Sequence, residues 1–448
     1  MGVVYRCALT VAFVLGLTLA PARARAAGDE PTPLSAAEYG DEAHLAELLW
    51  TRSLDVVQAR SQVGLAASEV TRSHLLPNPD LEFSWGTIPI GQTNPPDLKN
   101  PMAHVPSYGV AFSELVELFK RGPRQEAHEA ELHAAQYEAE AVFADRFFEL
   151  LESIGEMAKN ELEVSMLSGQ VQVYDDLLGL EKQRLSKGDI AAIDVDREEV
   201  ERARLLAGRD SAQAQMEQAR ARCSSLVAAS CEPFGSGAAA RAYLRDGSGA
   251  EYPAQWSDEI EQRRPDIEAM SAALEAAQKR ETLAKRKVIP DVTVKLGYLY
   301  DTFTVSGSQN QSLGVGLEMP LPVADRGQAD LEEAEVLRDR AHAARQLLIA
   351  SGKLGLQTAQ QQLALARDRL SRLRTAEQKA SGLEKSVSGA AQQGGVSQVD
   401  VLLARRAYQE LLVESAEVHG EAFSDAVKIR RAAAIFPKPS TEVAGVGG

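Results

Sequence analysis

The chain has 448 residues, a net charge of −16 and 44% hydrophobic residues. So acidic a balance argues against nucleic acid as a partner, because the phosphates would be repelled. The acidity is typical of a well-solvated surface, and the lining of a passage for cations would show the same sign.

The first residues carry the pattern of a secretory signal peptide. Arg6 precedes an apolar stretch over residues 8–20, and Ala24-Arg25-Ala26 supplies the small residues that a signal peptidase reads. The stretch is shorter than the roughly 20 residues that a membrane-spanning helix needs. We therefore expect residues 1–26 to be cleaved and the rest to be exported. Cleavage removes three arginines and no acid, so the mature charge becomes −19.

The second half of the chain repeats the first. Matched blocks keep an offset of 211 residues through the first part of each copy, and the offset shortens to 205 or 206 after a loop that is shorter in the second copy. We predict two repeats, residues 27–235 and 236–448, each with the order helix, strand, strand, long helix, returning helix. The matched blocks are Arg52-Ser53-Leu54-Asp55-Val56 with Arg263-Arg264-Pro265-Asp266-Ile267, Pro79-Asp80 with Pro290-Asp291, Gly188 with Gly394, and Asp194-Val195 with Asp400-Val401.

Segments with alternating apolar and polar residues are predicted to be β-strands. In the first, Leu81, Phe83 and Trp85 fall on one face and polar or bare residues on the other. Strands of about ten residues have the length of a tilted membrane-spanning strand. Four strands cannot close a barrel, so we predict that three copies supply twelve; two soluble hairpins packed on helices are the alternative. The predicted strands cover about residues 80–90, 107–116, 291–303 and 311–321.

Very long helices follow each pair of strands. The segment from Arg121 to Gly188 has no proline after its first turn, and its apolar residues from Phe143 to Leu178 recur in steps of four and three, interrupted at Glu161. This spacing predicts a heptad seam. A glycine then breaks the helix and a second helix returns, so each repeat is predicted to form a long antiparallel hairpin.

This arrangement resembles the TolC-type outer-membrane efflux factors over nearly the whole mature chain. The resemblance implies a mainly α-helical, internally duplicated chain with long antiparallel hairpins and four strands. Three chains would close a twelve-stranded membrane β-barrel above an α-helical tunnel, with a mixed belt formed by residues 28–40, 224–257 and the C-terminal tail. The motifs that carry the resemblance are Leu76-Pro77-Asn78-Pro79, Arg264-Pro265-Asp266-Ile267, Leu321-Pro322-Val323-Ala324-Asp325-Arg326-Gly327, and Gly394 through Asp400-Val401-Leu402.

The resemblance also implies a function and partners. It describes a passive outer-membrane exit duct with a periplasmic extension, a homotrimer in outer-membrane lipid, which exports small solutes with a periplasmic adaptor and an inner-membrane, proton-driven transporter. The Arg264-Pro265-Asp266 match favours such tripartite pumps over type I protein secretion. Drugs, metals and metabolites all remain open as cargo.

The hairpin ends are the candidate functional sites. Asp400 matches an acidic position of the family's periplasmic gate and Asp194 is its counterpart in the first repeat, but both could equally be helix N-terminal residues favoured by the macrodipole. The position one turn later is Leu403, so any cation constriction is expected to be weaker or placed differently. The candidate adaptor-docking tips are Gly188, Asp189, Ile190, Gly394, Gly395, Val396 and Ser397.

Other readings of the sequence have less support. Cys223 and Cys231 could form a disulfide, but spacing alone does not fix its geometry. No nucleophile motif, cofactor motif or metal-ligand spacing is found, so an enzyme is not expected. The alternative function is a soluble periplasmic coiled-coil scaffold or an adaptor, although an adaptor should carry one hairpin between small β-domains and this chain predicts two.

Overall fold

The computed structural model describes residues 32–88, 90–92, 96, 98–252, 260–261, 263–302 and 309–438. The predicted signal peptide, residues 1–26, lies outside the described residues. The helices are α1 (Glu42–Arg52), α2 (Leu54–His74), α3 (Pro101–His104), α4 (Arg121–Lys187), α5 (Ala192–Val227), α6 (Gly237–Ser248), α7 (Pro265–Lys287), α8 (Gln328–Gln392) and α9 (Gln398–Ala432). The strands are β1 (Asp80–Gly86), β2 (Ser107–Val116), β3 (Val292–Tyr300) and β4 (Gln311–Glu318).

The strands form one antiparallel sheet in the order β1-β2-β3-β4. Sequence alternation and register agree, because the alternating apolar residues of the strands lie mostly opposite one another. Phe83 lies opposite Val110, which lies opposite Tyr298, which in turn lies opposite Leu313. Residues directly opposite each other in an antiparallel pair share a face. The sheet therefore has one apolar face that continues across all its strands.

Charged residues join the sheet to the long helices. Asp291, just before β3, accepts a hydrogen bond of 3.1 Å from the Leu118 backbone N–H and pairs with Lys120 at 2.9 Å. Glu117 pairs with Arg124 in the first turn of α4. These partners are largely shielded from solvent, so the start of α4 is fixed against the base of β3.

Two helices are much longer than the others: α4 has 67 residues and α8 has 65. A rise of 1.5 Å per residue makes each about 100 Å long. The short helices α2 and α7 pack beside them near the sheet, and α5 and α9 return along them from the far end. Among the described residues, no helix is both long enough and apolar enough to cross a membrane.

The predicted seam of α4 is buried. Phe143, Phe147, Ile154 and Tyr174 are each at most 2% exposed. Glu161, which interrupts the seam, accepts a hydrogen bond of 2.7 Å from the Phe234 backbone N–H. A heptad seam thus forms the core of the helical part, and its one acidic position meets a backbone donor from another segment.

A small belt surrounds the middle of the helices. Leu34 forms an isolated bridge with Cys231, which is bonded to Cys223 in a disulfide. Both cysteines are fully buried. Helix α6 packs on α4 and α9 in the same region, and Phe436 of the C-terminal segment packs on Phe143. Much of the segments that the resemblance assigned to a belt therefore lies together around α4.

Candidate functional site

The ends of both hairpins are exposed. Gly188 ends α4 with φ +80° and Gly394 follows α8 with φ +75°, a left-handed conformation that favours glycine. The turn residues after each glycine, Asp189 to Ala191 and Gly395 to Ser397, are exposed apart from the half-buried Ile190. The tip residues named from the sequence therefore lie at the turns, where a partner could reach them.

Asp194 and Asp400 occupy equivalent places, each as the third residue of the returning helix. Asp194 accepts a 3.3 Å hydrogen bond from the Ala191 backbone N–H, and Asp400 accepts one of 3.0 Å from the Ser397 backbone N–H. Both carboxylates thus bind back to the helix start, as in a capping box. The helix-terminal role that the sequence left open is present at both positions, and a gating role remains a prediction.

The two caps differ in strength. Ser397 supplies a hydroxyl that donates to the Asp400 carboxylate at 2.7 Å and accepts from the Asp400 backbone N–H at 3.2 Å. Ala191 has no such group. The Ser397 side chain, followed by its backbone N–H, holds the pKa of Asp400 below its usual range. The start of α9 is therefore the more firmly capped of the two.

Two consecutive arginines of α9 connect the hairpins near these ends. Arg405 contacts Glu384 of α8 at 3.1 Å and Asp176 of α4 at 3.9 Å. Arg406 contacts Glu198 of α5 at 3.6 Å and lies over the ring of Tyr174, 4.9 Å from its centroid. Sequence reasoning missed both contacts. The signal was a pair of arginines just over two turns after the cap residue Ser397, opposite helices rich in acidic residues.

The apolar face of the sheet is exposed. Phe83, Leu313, Val315 and Leu317 have 72–74% of their surface exposed. The opposite face carries mainly small or polar residues, among them Gly109 and Ser84, and Leu299 is an apolar exception. A large exposed apolar surface marks a contact with another protein or with lipid.

A second exposed apolar surface, here called the α8 stripe, runs along α8. The five apolar residues that form it are 11, 7, 11 and 18 positions apart, so they lie on nearly the same side of a helix with 3.6 residues per turn. Within the described residues nothing covers it. The stripe consists of Val336, Leu347, Leu354, Leu365 and Leu383, which are 62%, 70%, 66%, 66% and 55% exposed.

The described part of the chain holds no group of three or more His, Cys, Asp or Glu side chains arranged to bind a metal ion. Neither disulfide cysteine is near the hairpin ends: both lie at the belt, beside the end of α5. The features brought together at the tips are therefore caps, turns and ion pairs.

Comparisons with known proteins agree with this geometry. Residues 256–434 match the family model described as outer membrane efflux protein. The cobalt-zinc-cadmium resistance protein CzcC of Cupriavidus metallidurans is 26% identical over 252 residues, which are 54% of this chain. The match spans only 58% of that relative's length.

Solved structures match over most of the chain. The outer-membrane channel OprN has a TM-score of 0.65 at 18% identity, covering 90% of this chain and 93% of its own. The Campylobacter jejuni CmeC outer membrane channel has a TM-score of 0.66 at 13% identity, covering 92% and 91%. They confirm the predicted fold of long helices with four strands. Residues 256–434 thus match the family model of outer membrane efflux proteins, and the chain shares its fold with these two solved channels.

Proposed function

We propose that the chain is the passive outer-membrane exit duct of a tripartite efflux system. The observation that carries the proposal is the continuous sheet with an exposed apolar face, set at the start of hairpins about 100 Å long. Lipid would cover the apolar face, and the hairpins would extend into the periplasm. A soluble scaffold, the alternative function, leaves this apolar face without a partner.

The duct is proposed to be a homotrimer. The sheet ends in two unpaired edge strands, β1 and β4, and an exposed edge is a template for pairing with another chain. If β4 of each copy pairs with β1 of the next, three copies close twelve strands, a number within the range of outer-membrane barrels. The α8 stripe supplies a matching apolar contact between neighbouring copies along the helices.

Apart from the one-turn helix α3 between β1 and β2, the same element order occurs twice, as α2-β1-β2-α4-α5 and α7-β3-β4-α8-α9. We interpret it as an internal duplication with a boundary at residues 235 and 236. Each copy would supply two of the four strands and one of the two hairpins, so a trimer would place six hairpins around one axis.

The hairpin ends are proposed to be the periplasmic gate and the docking site of an adaptor. Opening requires the hairpins to separate, and the Arg405 and Arg406 contacts resist that separation. Exposed ion pairs of this kind contribute only about 0.2–1 kcal/mol each. Docking of an adaptor at the exposed turns can therefore offset them without a chemical energy source in the duct, and an inner-membrane transporter would supply the energy.

Divalent transition-metal cations are the proposed cargo. The relative CzcC is named for resistance to cobalt, zinc and cadmium, and a net charge of −16 suits a passage for cations. The duct would conduct them without a dedicated ligand set. Deletion of the gene should then raise sensitivity to these metals, and unchanged sensitivity to all three would contradict the cargo but leave the duct intact.

One experiment tests the duct itself. The precursor is expressed in a Gram-negative host, inner and outer membranes are separated, and each fraction is run on a gel with and without heating. We expect the protein in the outer-membrane fraction, migrating near three times the monomer mass until heated. A monomer in the soluble periplasmic fraction would refute the duct and favour the coiled-coil scaffold.

A further inference from the structure

Four arginines lie where α8 adjoins α6 at the belt, and we call this place the arginine cleft. Arg241 and Arg245 are one turn apart on α6, so they share a side of that helix. Arg367 and Arg374 are seven residues apart and share a side of α8. Arg367 donates to the backbone carbonyls of Ser248 and Ala250, each at 2.6 Å, which fixes this side of α8 against the end of α6.

A buried histidine of α9, His419, lies beside these arginines. Its side chain is 9% exposed, and its Nδ1 has no hydrogen-bond partner among the described residues. Burial, followed by Arg241, Arg374 and Arg245, lowers the pKa of His419 to about 4. The charged groups that lower its pKa are thus all arginines, and its Nδ1 is buried without a partner among the described residues.

The cleft has few anions of its own. Within the described chain, Arg241 has only a 4.0 Å contact with the Met166 sulfur, and Arg374 has no ion pair. Arg245 pairs with its exposed neighbour Asp246. Arginine is paired elsewhere in the belt, since Arg430 binds both carboxylate oxygens of Glu42. A group of four arginines with one paired carboxylate, that of Asp246, suits an anionic ligand, which guanidinium groups bind in forked geometry.

The cleft would remain open in the proposed trimer. On a helix with 100° per residue, Arg367 and Arg374 lie roughly 160–180° from Leu365 of the α8 stripe. A neighbouring copy that covers the stripe therefore leaves the cleft uncovered. Met166, beside Arg241, lies 45 residues along α4 from Arg121, which places the cleft about 68 Å below the sheet.

We propose that the arginine cleft binds carboxylate groups of the peptidoglycan stem peptides. The proposal rests on the proposed function, because it requires the outer surface of the helices to face the periplasm. The cell-wall polymer surrounds such a duct and repeats its carboxylates, whereas an adaptor would dock at the tips, about 32 Å further along α4.

Spacing and copy number support a polymer as the ligand. The arginines are about 6 Å apart along α6 and about 10 Å apart along α8, so separate carboxylates can be held at once. Three clefts around one trimer would bind one network simultaneously, and linked weak contacts add to a high avidity. Binding here would anchor the duct in the cell wall at the level of the belt.

Co-sedimentation with purified sacculi tests the proposal. Full-length trimer in detergent is mixed with sacculi and centrifuged, at low and at high salt. We expect wild-type protein to sediment at low salt, and Arg241→Gln/Arg374→Gln to lose at least about 80% of that binding, because three clefts act together. Arg197→Gln/Arg286→Gln, at two exposed arginines of α5 and α7, makes the same charge change outside the cleft and should sediment like wild type.

The outcomes separate this proposal from the duct. Migration as a heat-dissociable trimer checks that each variant folds and assembles. Wild-type trimer that stays in the supernatant would overturn the cleft as a peptidoglycan site, whatever acidic protein it binds instead. Equal sedimentation of wild type and the double variant would overturn it too. A wild-type protein that fails to reach the outer membrane would instead contradict the proposed function. The separation of inner and outer membranes described above measures that outcome.

Discussion

At the scale of single residues, the ring of Phe423 holds three helices together. Gly155 of α4 lies on one side of the ring and Gly247 of α6 on the other, and a Cβ built on either glycine would overlap the ring. Phe423 itself is 5% exposed and packs against Tyr243. The absence of two side chains therefore allows α6 to lie close over α4 and α9.

Gly155→Ala should destabilise the chain by about 1–3 kcal/mol, the usual cost of overpacking a core. Gly179→Ala in the same helix is the matched control, since nothing lies within 4 Å of its added Cβ, and it should stabilise by about 0.4–1 kcal/mol through a less flexible unfolded chain. Thermal unfolding of both purified variants measures the difference. A Gly155→Ala variant as stable as Gly179→Ala would show that the ring can move away.

The spacing of apolar residues predicted the buried side of α4 but did not explain the acidic residue Glu161 within it. Steps of four and three placed Phe143 through Leu178 on one side, and burial confirms that seam. The sequence could predict the seam because its periodicity lies within α4 and a partner helix follows directly in the chain. Glu161 looked like an interruption because its partner, the backbone N–H of Phe234, is 73 residues away. The same holds for the arginine cleft, whose members come from three helices distant in sequence.

At the scale of elements, alternation predicted the strands while their pairing needed the structure. β2 and β3 pair in register from Tyr108 opposite Tyr300 to Val116 opposite Val292, although an entire hairpin separates them in the chain. No local pattern specifies such a partner. The apolar face, in contrast, follows directly from the period of two, whereas its exposure is seen only in the structure.

Leu313→Arg should prevent membrane assembly, because a cation on a lipid-facing strand costs about 2–4 kcal/mol near the bilayer centre. Leu313 lies on the apolar face and its neighbour Ser312 on the opposite face. Ser312→Arg carries the same new charge and should assemble normally. The yield of heat-dissociable trimer in the outer membrane measures both. Equal yields would contradict the assignment of the two faces.

At the scale of the whole molecule, a single chain leaves exposed the surfaces that the proposed trimer would cover. Its sheet has two open edges, and the α8 stripe exposes leucines along a helix about 100 Å long. The sequence predicted three copies from strand number alone, but it could not identify the stripe, because the packing of α7 and α9 decides which side of α8 remains uncovered.

The stripe gives the most direct test of how copies meet. Burying a leucine side chain contributes about 1.5–3 kcal/mol, and a trimer repeats each contact three times. Leu354→Glu/Leu365→Glu should therefore lower the temperature at which the trimer dissociates on a gel and leave the fold of each copy intact, as circular dichroism would show. Gln378→Glu, an exposed position away from the stripe on α8, should leave dissociation unchanged. If the double variant dissociates at the wild-type temperature, the copies meet through another surface, and the edge strands alone must hold the trimer.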